Sequence, residues 1–450
     1  MDRGPSSSSA GESPDAVEPI QGQTPWVFGV YGLVFGSGAA GLAYEVSWAR
    51  QLGLVFGQTA RAAAVVLAAY FLGMALGYAL AGRMSGRLRR PLQGFAVAEL
   101  LAGSWAFAVP ACLSIMPHSV PSGPLRFLIV LLLLLPGTTA LGASLPFVAE
   151  AVGLRAAGTK RIARVYAANL GGAVVGVVVS SVWLLAPLGV VATSWVAAGL
   201  SITVGAIAWF MRSKLERAAE TEPRSADTAP SDRIGVWLVA AATSGFGTLA
   251  AQVLYVRLFA LVFHNSTYTF SAILLVVLFS LSSASLAGSF LVRRADSRSL
   301  LIAAALVVAV ALPLSVYVFV EIGELRYFSV GKTFFAYITG ATLLVAAVVL
   351  IPMLAMGIIL PLSWHLAGAD ASPGRVVGRL TTANTLAAAA GALLTSFALL
   401  PAIGLWWSFA AVASAYLFLA VLVATRLERR RGIWGVAVAL STVLGFGSIG

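Results

Sequence analysis

Long apolar stretches separated by short polar connections make up most of this chain. A membrane-spanning helix needs about 20 predominantly apolar residues. Twelve stretches are long enough, and they cover residues 26–48, 60–82, 92–116, 125–149, 166–187, 190–211, 234–256, 268–291, 299–320, 334–360, 380–402 and 405–425. The pattern therefore predicts an all-α membrane protein with about twelve transmembrane helices. The apolar residues 433–450 are a possible thirteenth helix.

The apolar pattern occurs twice along the chain. Residues 37–56 read SGAAGLAYEVSWARQLGLVF and residues 244–263 read SGFGTLAAQVLYVRLFALVF, with identical residues at nine positions. Further along, ALGASLPF at 140–147 matches AMGIILPL at 355–362. Parallel copies of one set of helices are typical of transporter-like membrane folds. We therefore expect two parallel six-helix repeats.

The polar segments delimit these repeats. Residues 1–24 are acidic and rich in Ser and Pro, which predicts a disordered N-terminal tail. They lack the basic and apolar regions of a cleaved signal peptide. Residues 25–211 are predicted to form the first repeat and residues 234–426 the second. Residues 212–233 are polar and are predicted to link the two repeats on the cytoplasmic side.

The composition excludes a soluble globule and most enzyme classes. Hydrophobic residues make up 59% of the chain and charged residues 10%, against about 45–50% and about 25% in soluble domains. The single cysteine and three widely separated histidines predict neither a disulfide framework nor a metal site. The motifs HExxH, Walker and GxSxG do not occur. We therefore expect no catalytic residues, metal or cofactor in this chain.

The basic residues predict how the helices are oriented. Of the 29 Lys and Arg residues, 22 fall in alternate connections, at 83–90, 155–164, 212–233, 293–298, 375–379 and 426–431. Cytoplasmic loops of membrane proteins carry the excess of Lys and Arg. The N-terminus and the linker are therefore predicted to be cytoplasmic. The net charge of +12 then indicates contact with anionic lipid rather than with nucleic acid.

Two carboxylates lie well inside predicted spans, and both belong to the first repeat. The position equivalent to Glu45 in the second repeat is Gln252, and the region equivalent to Glu99 is the apolar run 301–308. An ionisable side chain in the bilayer costs about 2.5–3.5 kcal/mol on insertion scales, and is usually paired or functional. The asymmetry favours a cation or proton site at Glu45 and Glu99. The alternative is a pair of carboxylates that hydrogen-bond neighbouring side chains.

Two other polar pairs are identical in both repeats. Arg50 matches Arg257, which indicates a structural role at the ends of two equivalent helices. Asn169 matches Asn384. An Asn inside a membrane helix usually hydrogen-bonds a neighbouring helix, and contact with a substrate is the alternative for this pair.

Aromatic residues surround the predicted position of Glu45. Tyr44 and Trp48 lie four residues apart on one helix face, and Tyr70 and Phe71 follow in the next span. Aromatic rings attract cations through the negative face of the π system. These residues are candidates for the wall of an amine-binding site, and ordinary packing is the alternative.

Several motifs in order resemble one known family. YEVSWARQLGLVFG, LAAYFLGMALGYALAGRM, ELLAGSWA, LGASLPF and YAANLGGAVVG resemble the membrane region of the fused major-facilitator-like/spermidine synthase proteins of bacteria. The resemblance covers residues 26–425. It implies the major facilitator fold, the bacterial inner membrane as location, and a soluble synthase domain or partner subunit that would carry any aminopropyl transfer. Where family members often have an Asp, this chain has Gly86. The acid–helix latch of that fold is therefore expected to be missing.

Two functions are compatible with these observations. The first is a carrier that moves a polyamine or another small cation by alternating access, with Glu45 and Glu99 as the cation or proton site. Tyr44, Trp48, Asn169, Asn384 and Gln252 are further candidates for that site. The second is a membrane module that does not transport and instead holds a synthase-like domain or a partner subunit.

Overall fold

All regular secondary structure is helical in the part of the chain that the computed structural model describes. The structure describes residues 25–56, 60–114, 124–153, 158–220, 234–263, 267–292, 294–324, 333–368 and 372–426. The predicted tail 1–24 and the apolar residues 433–450 lie outside these ranges.

Helices occupy the predicted spans. They are α1 (Pro25–Phe56), α2 (Ala60–Ser85), α3 (Pro91–Ser114), α4 (Pro124–Gly153), α5 (Gly158–Val178), α6 (Leu185–Glu220), α7 (Ile234–Phe259), α8 (Thr267–Leu291), α9 (Ser297–Gly323), α10 (Phe334–Ala367), α11 (Pro373–Leu394) and α12 (Leu400–Arg426). Short π-helical turns, Val179–Leu184 and Thr395–Leu399, follow α5 and α11. Helices satisfy their own backbone hydrogen bonds, which the bilayer interior requires.

Two glycines turn continuous helical segments back across the membrane. Ten segments of the described chain are long and apolar enough to span a membrane, and two of them, Lys160–Lys214 and Pro373–Arg426, have 55 and 54 residues. A straight helix of that length would measure about 80 Å, whereas the apolar core of a bilayer is about 30 Å thick. Gly189 and Gly404 each have a φ of 76° and reverse the chain, so these two segments contain four of the twelve helices.

The same helices pack together in both halves of the molecule. The pair α1 and α5 corresponds to α7 and α11, the pair α2 and α4 to α8 and α10, and the pair α3 and α6 to α9 and α12. Between the halves, α2 packs on α11 and α5 packs on α8. This is the arrangement expected of parallel six-helix repeats, and the prediction of a major-facilitator-like fold is confirmed.

Several helices extend beyond their apolar stretches at one end of the bundle. We call this end the basic face; α1 begins there, and it carries the described basic residues Arg87, Arg89, Lys160, Arg212 and Arg375. The predicted boundaries differ here, since α6 continues to Glu220 into the predicted linker and α11 begins at Pro373 rather than at residue 380.

The early start of α11 has a local cause. The Ser372 side chain accepts a hydrogen bond from the backbone nitrogen of Arg375 at 3.3 Å, and Pro373 occupies the first helical position. Ser is a favoured N-cap, and Pro suits the first turn because its missing N–H has no partner there. The capping signal therefore sets the boundary even though Arg375 and Arg379 interrupt the apolar pattern.

Equivalent glycines bring helices into contact in the two halves. A Cβ atom at Gly38 would overlap the carbonyl oxygen of Asn169 in α5, and a Cβ atom at Gly245 would overlap the carbonyl oxygen of Asn384 in α11. Small residues permit this approach of two membrane helices. The matching sequence motifs around residues 38 and 245 are therefore packing sites.

We expect Gly38→Ala to destabilise the protein, because α1 and α5 would have to separate to admit the methyl group. Overpacking of this kind costs about 1–3 kcal/mol. Gly32→Ala is the matched control on the same helix, since a Cβ atom there meets nothing within 4 Å. Thermal unfolding in detergent should show a lower midpoint for Gly38→Ala alone. Equal midpoints for the two variants would contradict the packing role.

Candidate functional site: the central cavity

A cavity lies between the two halves of the bundle and encloses about 1350 Å³ of empty space, including the solvent at its mouth. Both repeats line it. Its polar lining residues are Ser37, Glu45, Tyr70, Tyr78, Ser144, Tyr166 and Asn169 from the first half, and Ser244, Thr248, Gln252, Thr381, Asn384 and Thr385 from the second. A cavity with a few polar groups in a largely apolar wall is typical of a small-molecule site.

Glu45 of α1 is an unpartnered carboxylate in the cavity wall. Its side chain is 6% exposed, and no residue in the described ranges donates a hydrogen bond or forms an ion pair with it. The equivalent residue of the second half, Gln252, lines the same cavity and is also buried. The sequence asymmetry between Glu45 and Gln252 thus becomes an asymmetry of the cavity, with a carboxylate from the first half and a neutral amide from the second.

Aromatic rings lie close to this carboxylate. The Tyr70 hydroxyl of α2 donates to the carbonyl oxygen of Gly41 at 2.9 Å, one helical turn before Glu45. Tyr70 and its neighbour Phe71 both line the cavity. Tyr70 thus lies near the Glu45 carboxylate, and Phe71 lines the same cavity. Aromatic rings and a negative charge both attract a cation.

Glu99 of α3 lies behind the cavity wall rather than in it. The Ser37 hydroxyl donates to Oε1 of Glu99 at 2.6 Å, and the Ser144 hydroxyl donates to the same oxygen at 2.8 Å. Both serines line the cavity, whereas Glu99 is fully buried behind them. Its second oxygen, Oε2, is buried without a hydrogen-bond partner within the described residues. The serines therefore connect this carboxylate to the cavity and separate it from any solute.

Tyr44 and Trp48 do not line the cavity, which differs from the sequence-based expectation. Their rings stack at a centroid distance of 5.0 Å on the side of α1 that faces α6. The Tyr44 hydroxyl donates to the carbonyl oxygen of Ala197 at 3.1 Å, and the Trp48 indole nitrogen donates to the hydroxyl of Ser194 at 3.0 Å. Periodicity identified their shared face, but it could not indicate which neighbouring helix that face meets.

Asn169 and Asn384 are placed identically in the two halves. The Asn169 side-chain amide donates to the carbonyl oxygen of Val34 at 3.3 Å, and that of Asn384 donates to the carbonyl oxygen of Ala241 at 2.9 Å. Each amide thus joins the fifth helix of its half to the first, as an Asn inside a membrane helix commonly does. Both residues also border the cavity.

Arg50 and Arg257 lie near the ends of α1 and α7 that are remote from the basic face. Both side chains are exposed, and neither is among the residues that line the cavity. The structural role predicted for them stays a prediction.

At the basic face the two halves are in direct contact through Glu150, at the end of α4. Glu150 Oε2 accepts hydrogen bonds from the Ser372 hydroxyl and from the backbone nitrogen of Gly374, both at 2.8 Å. A carboxylate at a helix N-terminus satisfies an otherwise unpaired N–H and complements the helix dipole. The sequence alone does not reveal this contact, because the partner of Glu150 lies more than 200 residues away.

Position 86 faces the same helix terminus, although it carries no acid. A Cβ atom at Gly86 would lie 3.0 Å from Cβ of Ser372 and 3.2 Å from Nη2 of Arg375. The expectation that an acid–helix latch is missing is therefore corrected, since Glu150 of α4 supplies the carboxylate that Gly86 does not.

The fold is that of the major facilitator superfamily transporters. The E. coli transporter FucP in its outward conformation is similar, with a TM-score of 0.56 at 15% identity over 89% of this chain and 99% of FucP. The human organic anion transporter MFSD10 (TETRAN) is similar with a TM-score of 0.57 at 16% identity, over 89% of this chain and 100% of that one. A bacterial homologue of the iron transporter ferroportin, in an outward-facing state, has a TM-score of 0.60 at 11% identity over 90% and 99%.

No model of a known protein family matches the sequence, and no curated protein matches it. At sequence identities of 11% to 16%, the structural likeness shows that the fold is shared. The chain is a multi-pass membrane protein with a transporter-like architecture.

Proposed function

We propose that this protein is a membrane carrier for a small organic cation, with Glu45 as the cation site. The observation that carries the proposal is the buried Glu45 carboxylate in the wall of the central cavity, which has no hydrogen-bond or ion-pair partner among the described residues. A carboxylate removed from water is costly unless a cation or a proton compensates its charge. Tyr70 beside it and Phe71 in the same cavity wall add attraction for an ammonium group.

Glu99 is proposed as a proton site rather than a contact for the cargo. It is sealed behind Ser37 and Ser144, and a proton can pass along hydroxyl groups that an organic cation cannot pass. Transport would follow from alternating access, in which the two halves rock around the cavity. The basic face is proposed to be the cytoplasmic side, in contact with anionic lipid.

The resemblance to the fused major-facilitator-like/spermidine synthase proteins suggests a polyamine or a related amine as the cargo. A synthase-like domain or partner subunit at the basic face would be compatible with this cargo, since such an enzyme would act on the same class of amine.

Uptake into proteoliposomes tests the proposed function. Purified protein should take up labelled amines, with putrescine, spermidine and hexylamine as the panel, at a rate that saturates with concentration and exceeds that of empty liposomes. If no amine of the panel shows saturable uptake, and the protein unfolds in a sharp thermal transition, the proposed carrier function is contradicted. It would favour the alternative, a membrane module that holds a partner without transporting.

A further inference from the structure

The cavity wall contains one ionisable carboxylate. Among the described residues that line the cavity, Glu45 is the only Asp, Glu, Lys, Arg or His. The equivalent position in the second half is the neutral Gln252, and the hydroxyl groups near it, such as that of Thr248, carry no net charge. The wall can therefore compensate one positive charge.

The second membrane carboxylate cannot serve as a counter-charge for the cargo. The hydroxyls of Ser37 and Ser144 lie between Glu99 and the cavity, and both donate to Oε1 of Glu99. An ammonium group would reach Glu99 only by displacing these serines from a fully buried carboxylate. A cargo with two ammonium groups would thus leave one of them without a partner.

The remaining wall is largely apolar. Leu42, Met74 and Leu141 line it from the first half, and Leu249 and Leu278 line it from the second. Such a surface favours an apolar body, and it penalises a second charge because a buried charge needs a partner.

We infer that the cargo is an amphiphilic organic monocation, with one ammonium-type group at Glu45 and an apolar body against the leucine-rich wall. This inference rests on the proposed function and narrows it, because the single counter-charge of the cavity disfavours the polyamines that the family resemblance suggests. Tyr70 lies where its ring can contact the cationic group.

Calorimetric titration of the protein in nanodiscs tests the inference with three ligands of equal chain length. Hexylamine carries one charge, hexamethylenediamine carries two, and hexanol carries none. We expect hexylamine to bind more tightly than either of the others by about tenfold or more, which is about 1.4 kcal/mol. Empty nanodiscs provide the correction for partition into lipid.

Gln252→Glu sharpens the test, because it adds a second carboxylate to the same cavity. We expect the affinity for hexamethylenediamine to rise by about tenfold, while hexylamine binding changes little. Gln93→Glu, in α3 and outside the cavity lining, is the matched substitution and should change neither affinity.

The possible outcomes separate the two proposals. If hexamethylenediamine binds the unsubstituted protein as tightly as hexylamine does, the inference of a monocationic cargo is wrong. The proposed function as a cation carrier is not contradicted by that result. If hexanol binds as tightly as hexylamine, or if no amine binds, Glu45 is not a cation site. Both the proposed function and the inference of a monocationic cargo are then wrong.

Discussion

Glu45→Gln should strongly weaken saturable amine uptake. The substitution keeps the size of the side chain and removes the only carboxylate among the described residues of the cavity wall. Hydrogen bonds to a charged group contribute about 1.5–3 kcal/mol, so we expect the affinity for an organic cation to fall roughly 10- to 150-fold. Initial uptake rates in proteoliposomes, measured over a range of amine concentrations, would show this loss.

The double variant Glu45→Gln, Gln252→Glu is the control for a specific effect. It returns a carboxylate to the same cavity from the equivalent position of the other half. We expect partial recovery of uptake, since a charge is restored to the cavity wall, but at a position other than the one beside Tyr70. Unchanged uptake by the single variant would exclude Glu45 as the cation site.

Glu150→Ala should open the basic face. The two hydrogen bonds from Ser372 and Gly374 to Glu150 join one half to the other, so they stabilise only the arrangement in which the halves meet at that face. Each such bond contributes about 1.5–3 kcal/mol, so removal of both should shift the equilibrium between the closed and open basic face by roughly 10- to 150-fold or more. Glu150→Gln should have a smaller effect, because the amide still accepts a hydrogen bond.

Spin labels across the basic face would measure this shift. Suitable sites are the exposed Arg87 in the first half and Arg379 in the second, after the single cysteine, Cys112, has been replaced. We expect the population of long distances to increase from the unsubstituted protein to Glu150→Gln and then to Glu150→Ala. The same distance distribution in all three proteins would show that Glu150 does not hold the face closed.

The number and order of the helices were predictable because the bilayer imposes a length on every apolar stretch. The repeat was predictable for the same reason, since both copies meet the same constraint and keep the same small residues at helix contacts. Gly38 and Gly245 illustrate this, as each lies against the carbonyl group of an equivalent asparagine. Close helix contacts of this kind can therefore be recognised in the sequence as small residues at equivalent positions.

The surroundings of the site residues were predictable only in part. Tyr44 and Glu45 are neighbours in sequence, yet one faces α6 and the other faces the cavity. In an apolar bundle every helix face meets either lipid or another helix, so periodicity does not distinguish the cavity from a packed interface. The serines in front of Glu99 were missed because Ser37 and Ser144 come from two other helices.

Gly189 and Gly404 have a practical consequence for peptide mapping. Each turn joins two helices without a basic residue, and no Lys or Arg lies between Arg164 and Arg212 or between Arg379 and Arg426. Trypsin therefore releases each helical hairpin as one large fragment. The first fragment carries Asn169 and the second carries Asn384 from the cavity wall. A photoreactive amine attached to either hairpin could thus be assigned to one half of the molecule from the fragment mass alone.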